Sequence, residues 1–156
     1  MTTRILLFLI PALGLAQAPT TRERLIGAWK LLSFEQRAPN GDVTHPVGRD
    51  PLGILMYDKT GRMAVQIMDR SRPAQATTAE GIQSTSPAYI AYFGTFTVNE
   101  AEGAVTHHVE GSLNFRPARE LTRSVELSGD RLILRPPPVT VPGGQRTSTL
   151  TWERIK

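Results

Sequence analysis

The chain has 156 residues, which suits one domain with a single hydrophobic core, and its 40% hydrophobic and 21% charged residues exclude an intrinsically disordered chain. It has no cysteine, which excludes disulfides, thiolate metal sites and cysteine nucleophiles. The 18 basic residues exceed the 14 acidic ones by a small margin and form no Lys/Arg run, so we expect no nucleic-acid partner.

The N-terminus has the features of an export signal. Arg4 gives a short positive start, residues 5–15 form an apolar run, and Ala16-Gln17-Ala18 is an A-x-A cleavage pattern. The run is shorter than the ~20 apolar residues of a transmembrane helix. We therefore expect residues 1–18 to be a signal peptide and residues 19–156 to form a periplasmic or secreted domain without a membrane span. Cleavage two residues earlier and an uncut N-terminal anchor are the alternatives.

From residue 25 onward, short apolar-rich segments alternate with polar turns such as Asn40-Gly41, a strong hairpin signal. The apolar-rich segments are residues 25–34, 53–57, 62–68, 92–98, 105–114, 120–127, 131–135 and 146–155. Short strands at this regular spacing predict an all-β domain, built as an antiparallel barrel or sandwich.

Two connections are longer than ordinary turns. Residues 69–87 are small, polar and without a clean period, so we expect a long loop or short helix near the middle of the chain. Residues 136–144 begin with three prolines and end with two glycines, which is typical of a stiff and then flexible connection. No internal repeat and no second domain is indicated.

Two adjacent histidines, His107 and His108, lie in the predicted strand at residues 104–114. Successive side chains of a strand point to opposite faces, so these two histidines cannot bind the same metal in a regular strand. The two faces consist of Val105, His107, Val109, Gly111 and Leu113, and of Thr106, His108, Glu110, Ser112 and Asn114. The second set is polar. The residues themselves leave open which set faces the interior.

Three roles fit His108 and Glu110. With His45 they would supply the three protein ligands of a catalytic zinc site, although their spacing is not diagnostic. As an acid/base pair, His108 would titrate near neutral pH and Glu110 would orient it. As ligand-orienting or structural hydrogen-bonding groups they need no special geometry, and we favour this role. We therefore expect no metal and no cofactor.

Signatures of nucleophilic catalysis and of phosphate binding are absent from the sequence, which has no G-x-S-x-G, G-x-x-x-x-G-K or G-x-G-x-x-G motif. Four side chains combine a large body with a polar tip, as suits a mostly apolar pocket with few polar anchors. They are Tyr57, Gln66, Tyr89 and Tyr92. We predict that they bind a ligand together with His108 and Glu110. Packing in the core or at a barrel rim is the alternative for each of them.

Four short motifs follow one another along the chain. They are Pro46-x-Gly48-x-Asp50-Pro51-x-Gly53-x-Leu55-x-Tyr57, Gly61-x-Met63-x-Val65-Gln66, Tyr89-x-x-Tyr92-Phe93-Gly94-Thr95 and Val105-Thr-His-His-Val-Glu110. Through these motifs the chain resembles the lipocalin-like domain family of bacterial and fungal calycin-like proteins, over roughly residues 25–155. The resemblance implies a single up-and-down β-barrel of about eight strands with a central cavity for a small apolar or amphipathic ligand. It also favours the barrel interior for His108 and Glu110.

A further pair of residues fits the resemblance. In lipocalins, the tryptophan of a G-x-W motif in the first strand packs under an arginine of the last strand at the closed end of the barrel. Gly27, Trp29 and Arg154 occupy the corresponding places in this sequence. A guanidinium over an indole contributes on the order of 1 kcal/mol. We therefore expect these three residues to be structural.

The function that we favour is an exported barrel that binds a small hydrophobic ligand. The alternative is an isomerase or cyclase acting on a hydrophobic substrate, with His108 as proton shuttle and Glu110 as its orienting partner. A third hypothesis is an interaction protein that binds its partner through an edge strand or the segment 69–87. No oligomeric state is predicted.

Overall fold

The computed structural model describes residues 18–72, 89–113 and 119–156. Within these ranges the chain forms one short helix and ten strands. The helix is α1 (Thr21–Leu25), and the strands are β1 (Gly27–Arg37), β2 (Val43–Thr44), β3 (Pro51–Tyr57), β4 (Arg62–Asp69), β5 (Tyr89–Asn99), β6 (Ala104–Ser112), β7 (Glu120–Ser128), β8 (Arg131–Arg135), β9 (Val139–Val141) and β10 (Gly144–Arg154). The predicted signal peptide, apart from Ala18, and residues 73–87 of the predicted long loop lie outside the described residues.

Eight of the strands form a closed antiparallel barrel. They pair in the order β1, β3, β4, β5, β6, β7, β8 and β10, and β10 pairs back with β1. β2 pairs with the last residues of β1, and β9 with the first residues of β10, so both are short extensions of the ring. The predicted all-β barrel of about eight strands is confirmed.

The strands of the ring separate apolar from polar side chains. In β4, for example, Met63, Val65 and Ile67 are buried, whereas Gln66 is exposed. Because successive strand side chains point to opposite faces, the buried set lies inside the barrel. Together these inward side chains form one continuous core that includes both tryptophans.

β6 departs from regular alternation near its end. The register with β5 shifts between Phe93 and Gly94, so that Glu110 is the extra residue of a β-bulge on β6. The sequence predicted that Leu113 would share a strand face with His107. That prediction is wrong: Leu113 is 61% exposed and His107 is buried, because the bulge ends the alternation of faces.

The helix α1 covers one end of the barrel, which we call the sealed end. Thr20 and Glu23 form a capping box, in which each side chain accepts a hydrogen bond from the other residue's amide. The carboxylate of Glu100, in the turn after β5, accepts hydrogen bonds from the amides of Thr21–Arg22 at 3.0 Å each. Leu25, the last residue of the helix, is fully buried in the core.

At the sealed end, Arg154 lies over Trp29. The guanidinium carbon is 4.1 Å from the centre of the indole, and the guanidinium donates hydrogen bonds to the carbonyls of Ile26, at 2.9 Å, and Arg24. A Cβ on Gly27 would lie 2.8 Å from Nη1 of Arg154, so glycine leaves room for the guanidinium. Gly27, Trp29 and Arg154 are therefore in contact at the sealed end.

The opposite end of the barrel, which we call the mouth, is where β4, β6 and β8 end. Because the ring is antiparallel, β5 and β7 begin at this same end. Both ends of the described chain lie at the sealed end, where the Ile155 amide donates a 2.9 Å hydrogen bond to the carbonyl of Ala28. In the described ranges, no helix has the length and apolar character needed to cross a membrane.

Candidate functional site

The barrel contains a central cavity of about 480 Å³. Each of the eight ring strands contributes at least one lining residue, and most of these residues are apolar. The polar and charged lining residues are Gln36, Tyr92, His107, Glu120, Thr122, Arg123 and Ser148. The family resemblance implied such a cavity, and its volume lies within the range of roughly 300–1,000 Å³ that is typical of small-molecule sites.

A trio of polar side chains, Tyr57, Tyr92 and His107, lies inside the barrel. Tyr57 is the last residue of β3, while Tyr92 and His107 are inward-facing residues of β5 and β6 that line the cavity. The Tyr57 hydroxyl is 2.6 Å from Nε2 of His107, and the Tyr92 hydroxyl is 3.0 Å from Nδ1. Both ring nitrogens of the histidine are therefore within hydrogen-bonding distance of a tyrosine.

Burial shifts the pKa values of His107 and Tyr57 in the directions that favour their uncharged forms. It is the main reason why the pKa of His107 lies well below the ordinary 6.5, and nearby Arg123 and His108 lower this pKa further. Burial also raises the pKa of Tyr57 well above 10.0; Tyr92 adds to this shift and Arg123 opposes it. The trio thus contains a neutral imidazole and a neutral Tyr57 phenol.

The neutral state of His107 determines the direction of the two hydrogen bonds. A neutral imidazole donates from one ring nitrogen and accepts at the other. One tyrosine therefore donates a hydrogen bond to His107, and the other accepts a hydrogen bond from the imidazole N–H. Such a network suits hydrogen bonding and orientation, whereas acid–base catalysis needs a group whose pKa lies near the working pH.

His108 and Glu110 lie on the outer surface of the barrel, so the interior position that the resemblance favoured for them is wrong. His108 Nε2 is 2.9 Å from the Thr97 hydroxyl, and its Nδ1 is 3.4 Å from the carboxylate of Glu120. Glu110 forms an exposed ion pair with Arg62 at 2.5 Å. The structure therefore does not bring these two residues into the cavity.

The valines of β6 explain why His107 faces inward instead. Val105 and Val109, two residues away on either side, are 0% and 5% exposed. Burying their apolar surface is favourable, whereas turning the strand over would remove the polar set that includes Glu110 from water. The apolar neighbours of His107 were the sequence signal for its interior position.

The four remaining predicted ligand-binding residues divide into two pairs. Tyr57 and Tyr92 meet at His107 inside the barrel. Gln66 and Tyr89 meet at the outer surface, where the Tyr89 hydroxyl donates a 2.8 Å hydrogen bond to the Gln66 side-chain carbonyl. Both line a separate depression over β3 and β4, so they do not face the central cavity.

Arg123 and Trp152 are among the lining residues of the cavity that were not predicted from the sequence. Arg123 shares its strand face with Leu121 and Val125, which pack against the core, and this pattern was the signal for its inward position. Trp152 is 1% exposed, and its indole N–H has no hydrogen-bond acceptor among the described residues. The other indole, that of Trp29, donates to a backbone carbonyl at 2.8 Å.

The zinc site that was considered for His108, Glu110 and His45 is not assembled. Within residues 18–72, 89–113 and 119–156, no group of three or more histidine, aspartate or glutamate side chains could hold a metal ion. In the sequence, His45 lies between β2 and β3, whereas the other two candidate ligands belong to β6.

The chain matches a known protein family over most of its length. Residues 26–155 match the model of a family described as a lipocalin-like domain. The matched range includes all ten strands and therefore every residue that lines the cavity. No curated protein matches the chain.

Proposed function

The chain belongs to the lipocalin-like domain family, and on that premise we propose that it is an exported barrel that holds an apolar or amphipathic small molecule in its central cavity. The observation that carries the proposal is the cavity of about 480 Å³, which is lined by all eight ring strands. Barrels of eight strands have an interior that suits side chains or one small ligand.

The lining favours a ligand with a substantial apolar part. Leu55, Val65, Ile67 and Leu134 come from three different strands and present aliphatic surface to the cavity. Each Å² of apolar surface removed from water contributes about 25 cal/mol, so contact with these side chains supplies affinity without directional demands. The polar trio around His107 then provides the few directional contacts that orient a ligand.

The first test is direct detection of the ligand. The mature protein is purified gently and measured by native mass spectrometry, and its organic extract is analysed for small molecules. We expect an adduct of a few hundred daltons that is lost on denaturation. The chemical identity of that adduct would define the ligand class.

The second test asks whether binding takes place in the cavity. N-phenylnaphthylamine, a neutral probe that fluoresces in apolar surroundings, is titrated into the protein. Replacing the lining residue Ile90 with tryptophan fills part of the cavity and should weaken probe binding about tenfold or more. Phe93→Trp is the matched control on the same strand, because Phe93 is 56% exposed on the outer surface. Equal binding to both variants and to the unaltered protein would contradict the proposal.

The uncharged form of His107 favours ligand binding over the isomerase or cyclase alternative. His107 is the histidine that lines the cavity, and its low pKa leaves it uncharged and a weak base. His108 and Glu110, the pair suggested for catalysis, are on the outer surface. Turnover of a hydrophobic substrate that survives His108→Gln but is lost in His107→Gln would overturn this preference.

Export is proposed on the sequence of residues 1–18, which combines a basic start, an apolar run and an A-x-A pattern. The full-length chain is expressed in a bacterium, and the intact mass of the protein is measured in the cytoplasmic, periplasmic and culture fractions. We expect a mature chain that begins at Pro19, or at Gln17 if cleavage follows Ala16. A full-length mass confined to the cytoplasm would contradict export.

A further inference from the structure

Arg123 places a positive charge inside the barrel. In β7, side chains of residues 121, 125 and 127 pack against the core, and Arg123 lies on the same face of the strand. Its cross-strand neighbour on β6 is Val105, which is fully buried. Arg123 also lines the central cavity.

The charge of Arg123 is not neutralised by a carboxylate among the described residues. Its Nη1 donates a 3.2 Å hydrogen bond to the backbone carbonyl of Thr122. Glu120 also lines the cavity, but its carboxylate is directed to His108 at 3.4 Å. By contrast, four other arginines lie 2.5 to 3.9 Å from a carboxylate oxygen, namely Arg62, Arg70, Arg135 and Arg154.

The influence of this charge extends to the trio. After burial, which is the largest cause, Arg123 is the next contribution that lowers the pKa of His107. Arg123 also partly offsets the burial that raises the pKa of Tyr57. A cation that acts on both groups favours negative charge at this side of the cavity.

The hydrogen-bonded pairing of β7 with β8 stops beside Arg123. β7 and β8 pair from Ser128 and Arg131 as far as Ser124 and Arg135, and three prolines follow. In the same register Pro136 would stand opposite Arg123, but a proline has no N–H to continue the ladder. The first residues of β7 therefore have no ladder partner on β8, and Pro136 and Pro137 line the cavity there.

This arrangement joins an apolar chamber to a cation that has no carboxylate partner among the described residues, at the place where β7 and β8 are no longer paired. A ligand that lies with its apolar part against Leu55, Val65 and Leu134 can hold its polar end at Arg123, close to water. A guanidinium binds two oxygens of a carboxylate or a similar anion at once, with charge-assisted hydrogen bonds.

We propose that Arg123 binds the anionic head group of the ligand, so that the preferred cargo is an amphipathic acid. This inference depends on the proposed function, because it specifies the ligand class of the same cavity. Tyr92 and His107 line the cavity as well, beside the place for the remainder of the ligand.

The experiment compares two probes that differ in charge. N-phenylnaphthylamine is neutral, and anilinonaphthalene sulfonate carries the same ring system with an anionic group. Both are titrated by fluorescence into the unaltered protein and into Arg123→Gln, Arg123→Lys and Arg146→Gln. Arg146 is an exposed residue of β10 and serves as the matched control for a change in net charge. Ile90→Trp is included to identify binding of either probe outside the cavity.

We expect Arg123→Gln to weaken binding of the sulfonate about tenfold or more, in line with the strength of a charged hydrogen bond, and to leave binding of the neutral probe unchanged. Arg123→Lys should restore part of the affinity, and Arg146→Gln should have no effect. Dodecanoate should displace the sulfonate, and dodecanol should do so less well.

The possible failures separate the two proposals. If the neutral probe binds in the cavity and Arg123→Gln does not change sulfonate binding, the anionic ligand is ruled out and the binding function remains. If both probes lose affinity equally in Arg123→Gln, Arg123 maintains the shape of the cavity and the inference is wrong. If neither probe binds the unaltered protein, both proposals are wrong.

Discussion

His107 remains uncharged in the folded barrel, whereas in the unfolded chain it titrates near its ordinary pKa of 6.5. Below this pH the unfolded state binds more protons than the folded state, so acid favours unfolding. The stabilising contribution of the neutral imidazole is therefore fully present above pH 6.5 and is lost as the pH falls towards the lowered pKa of the folded state.

We predict that the contribution of His107 makes the free energy of unfolding about 2 kcal/mol smaller at about pH 5 than at about pH 8. The measurement is urea unfolding across this range. His107→Gln should show a smaller loss, because it has no imidazole to protonate. His108→Gln should behave like the unaltered protein, because His108 lies on the outer surface. An NMR titration in which the ring of His107 becomes charged near pH 6.5 in the folded protein would contradict the prediction.

Arg154 should be among the costliest surface-accessible residues to replace. It covers the Trp29 indole and donates hydrogen bonds to two backbone carbonyls at the sealed end. We predict that Arg154→Ala lowers the free energy of unfolding by about 2–4 kcal/mol. Arg146→Ala, in the exposed part of the same strand, should change it by less than about 0.5 kcal/mol. Similar losses in both variants, measured by denaturant unfolding, would count against this role.

The location of an individual residue could be predicted from the sequence where the family resemblance named the residue that it packs against. Trp29 and Arg154 could be paired because the family resemblance specifies both positions. His108 was placed on the wrong face because two adjacent histidines always occupy opposite faces of a strand, and their own side chains do not distinguish inside from outside. The neighbouring valines make that distinction, through the apolar surface that they bury.

At the scale of single elements, the pairing of β5 with β6 depends on close backbone approach at Gly94. A Cβ at this position would lie 1.9 Å from the carbonyl oxygen of His108, next to the bulge at Glu110. A side chain of any size would therefore push the two strands apart. Tyr92 and His107, which meet inside the barrel, lie on this same pair of strands.

We predict that Gly94→Ala lowers the free energy of unfolding by about 1–3 kcal/mol or more, through overpacking. Gly129→Ala is the comparison, since Gly129 has a φ of 56° but open space around its Cβ position. Gly129→Ala should lower the free energy of unfolding only through the strain of a side chain at positive φ, by about 1 kcal/mol. Thermal unfolding of both variants checks the order. A smaller loss for Gly94→Ala would show that the strands can separate at little cost.

The long strands were predictable, whereas small irregularities in them were not. Alternation and turn residues located all eight ring strands to within a few residues. The bulge at Glu110 depends on contacts between two strands, and no local pattern in β6 specifies it. The helix α1 was not predicted, although Thr20 and Glu23 have the spacing of a capping box and were an available signal. β2 and β9 are two and three residues long, too short for a detectable period.

At the scale of the whole molecule, a ligand in the cavity should stabilise the closed ring. The cavity is built from residues far apart in sequence and disappears when the barrel opens, so the unfolded chain offers no comparable site. Binding to the folded state alone adds about 2.7 kcal/mol when the free ligand concentration is 100 times Kd.

We predict a rise in Tm of roughly 5–10 °C at that ligand concentration. Calorimetry with N-phenylnaphthylamine or with the extracted ligand provides the measurement. Ile90→Trp should show a much smaller rise, because its cavity is partly filled. An equal rise in this variant would place the stabilising site elsewhere on the molecule.

The overall topology followed from the number and spacing of strands, together with the family motifs. The contents of the cavity did not, because they depend on which face of each strand turns inward. For β6 and β7 this orientation is decided by the balance of all side chains on the strand, so that His107 and Arg123 are carried inside by their apolar neighbours.

The location of both chain ends at the sealed end has a practical consequence. A tether attached ahead of α1 or beyond Ile155 leaves the barrel from the side opposite to the mouth. If the protein is anchored to a sensor chip through either of these two chain ends, the mouth of the barrel faces the solution. The two orientations should therefore give the same ligand-capture rate, and the choice of fusion site becomes a matter of convenience.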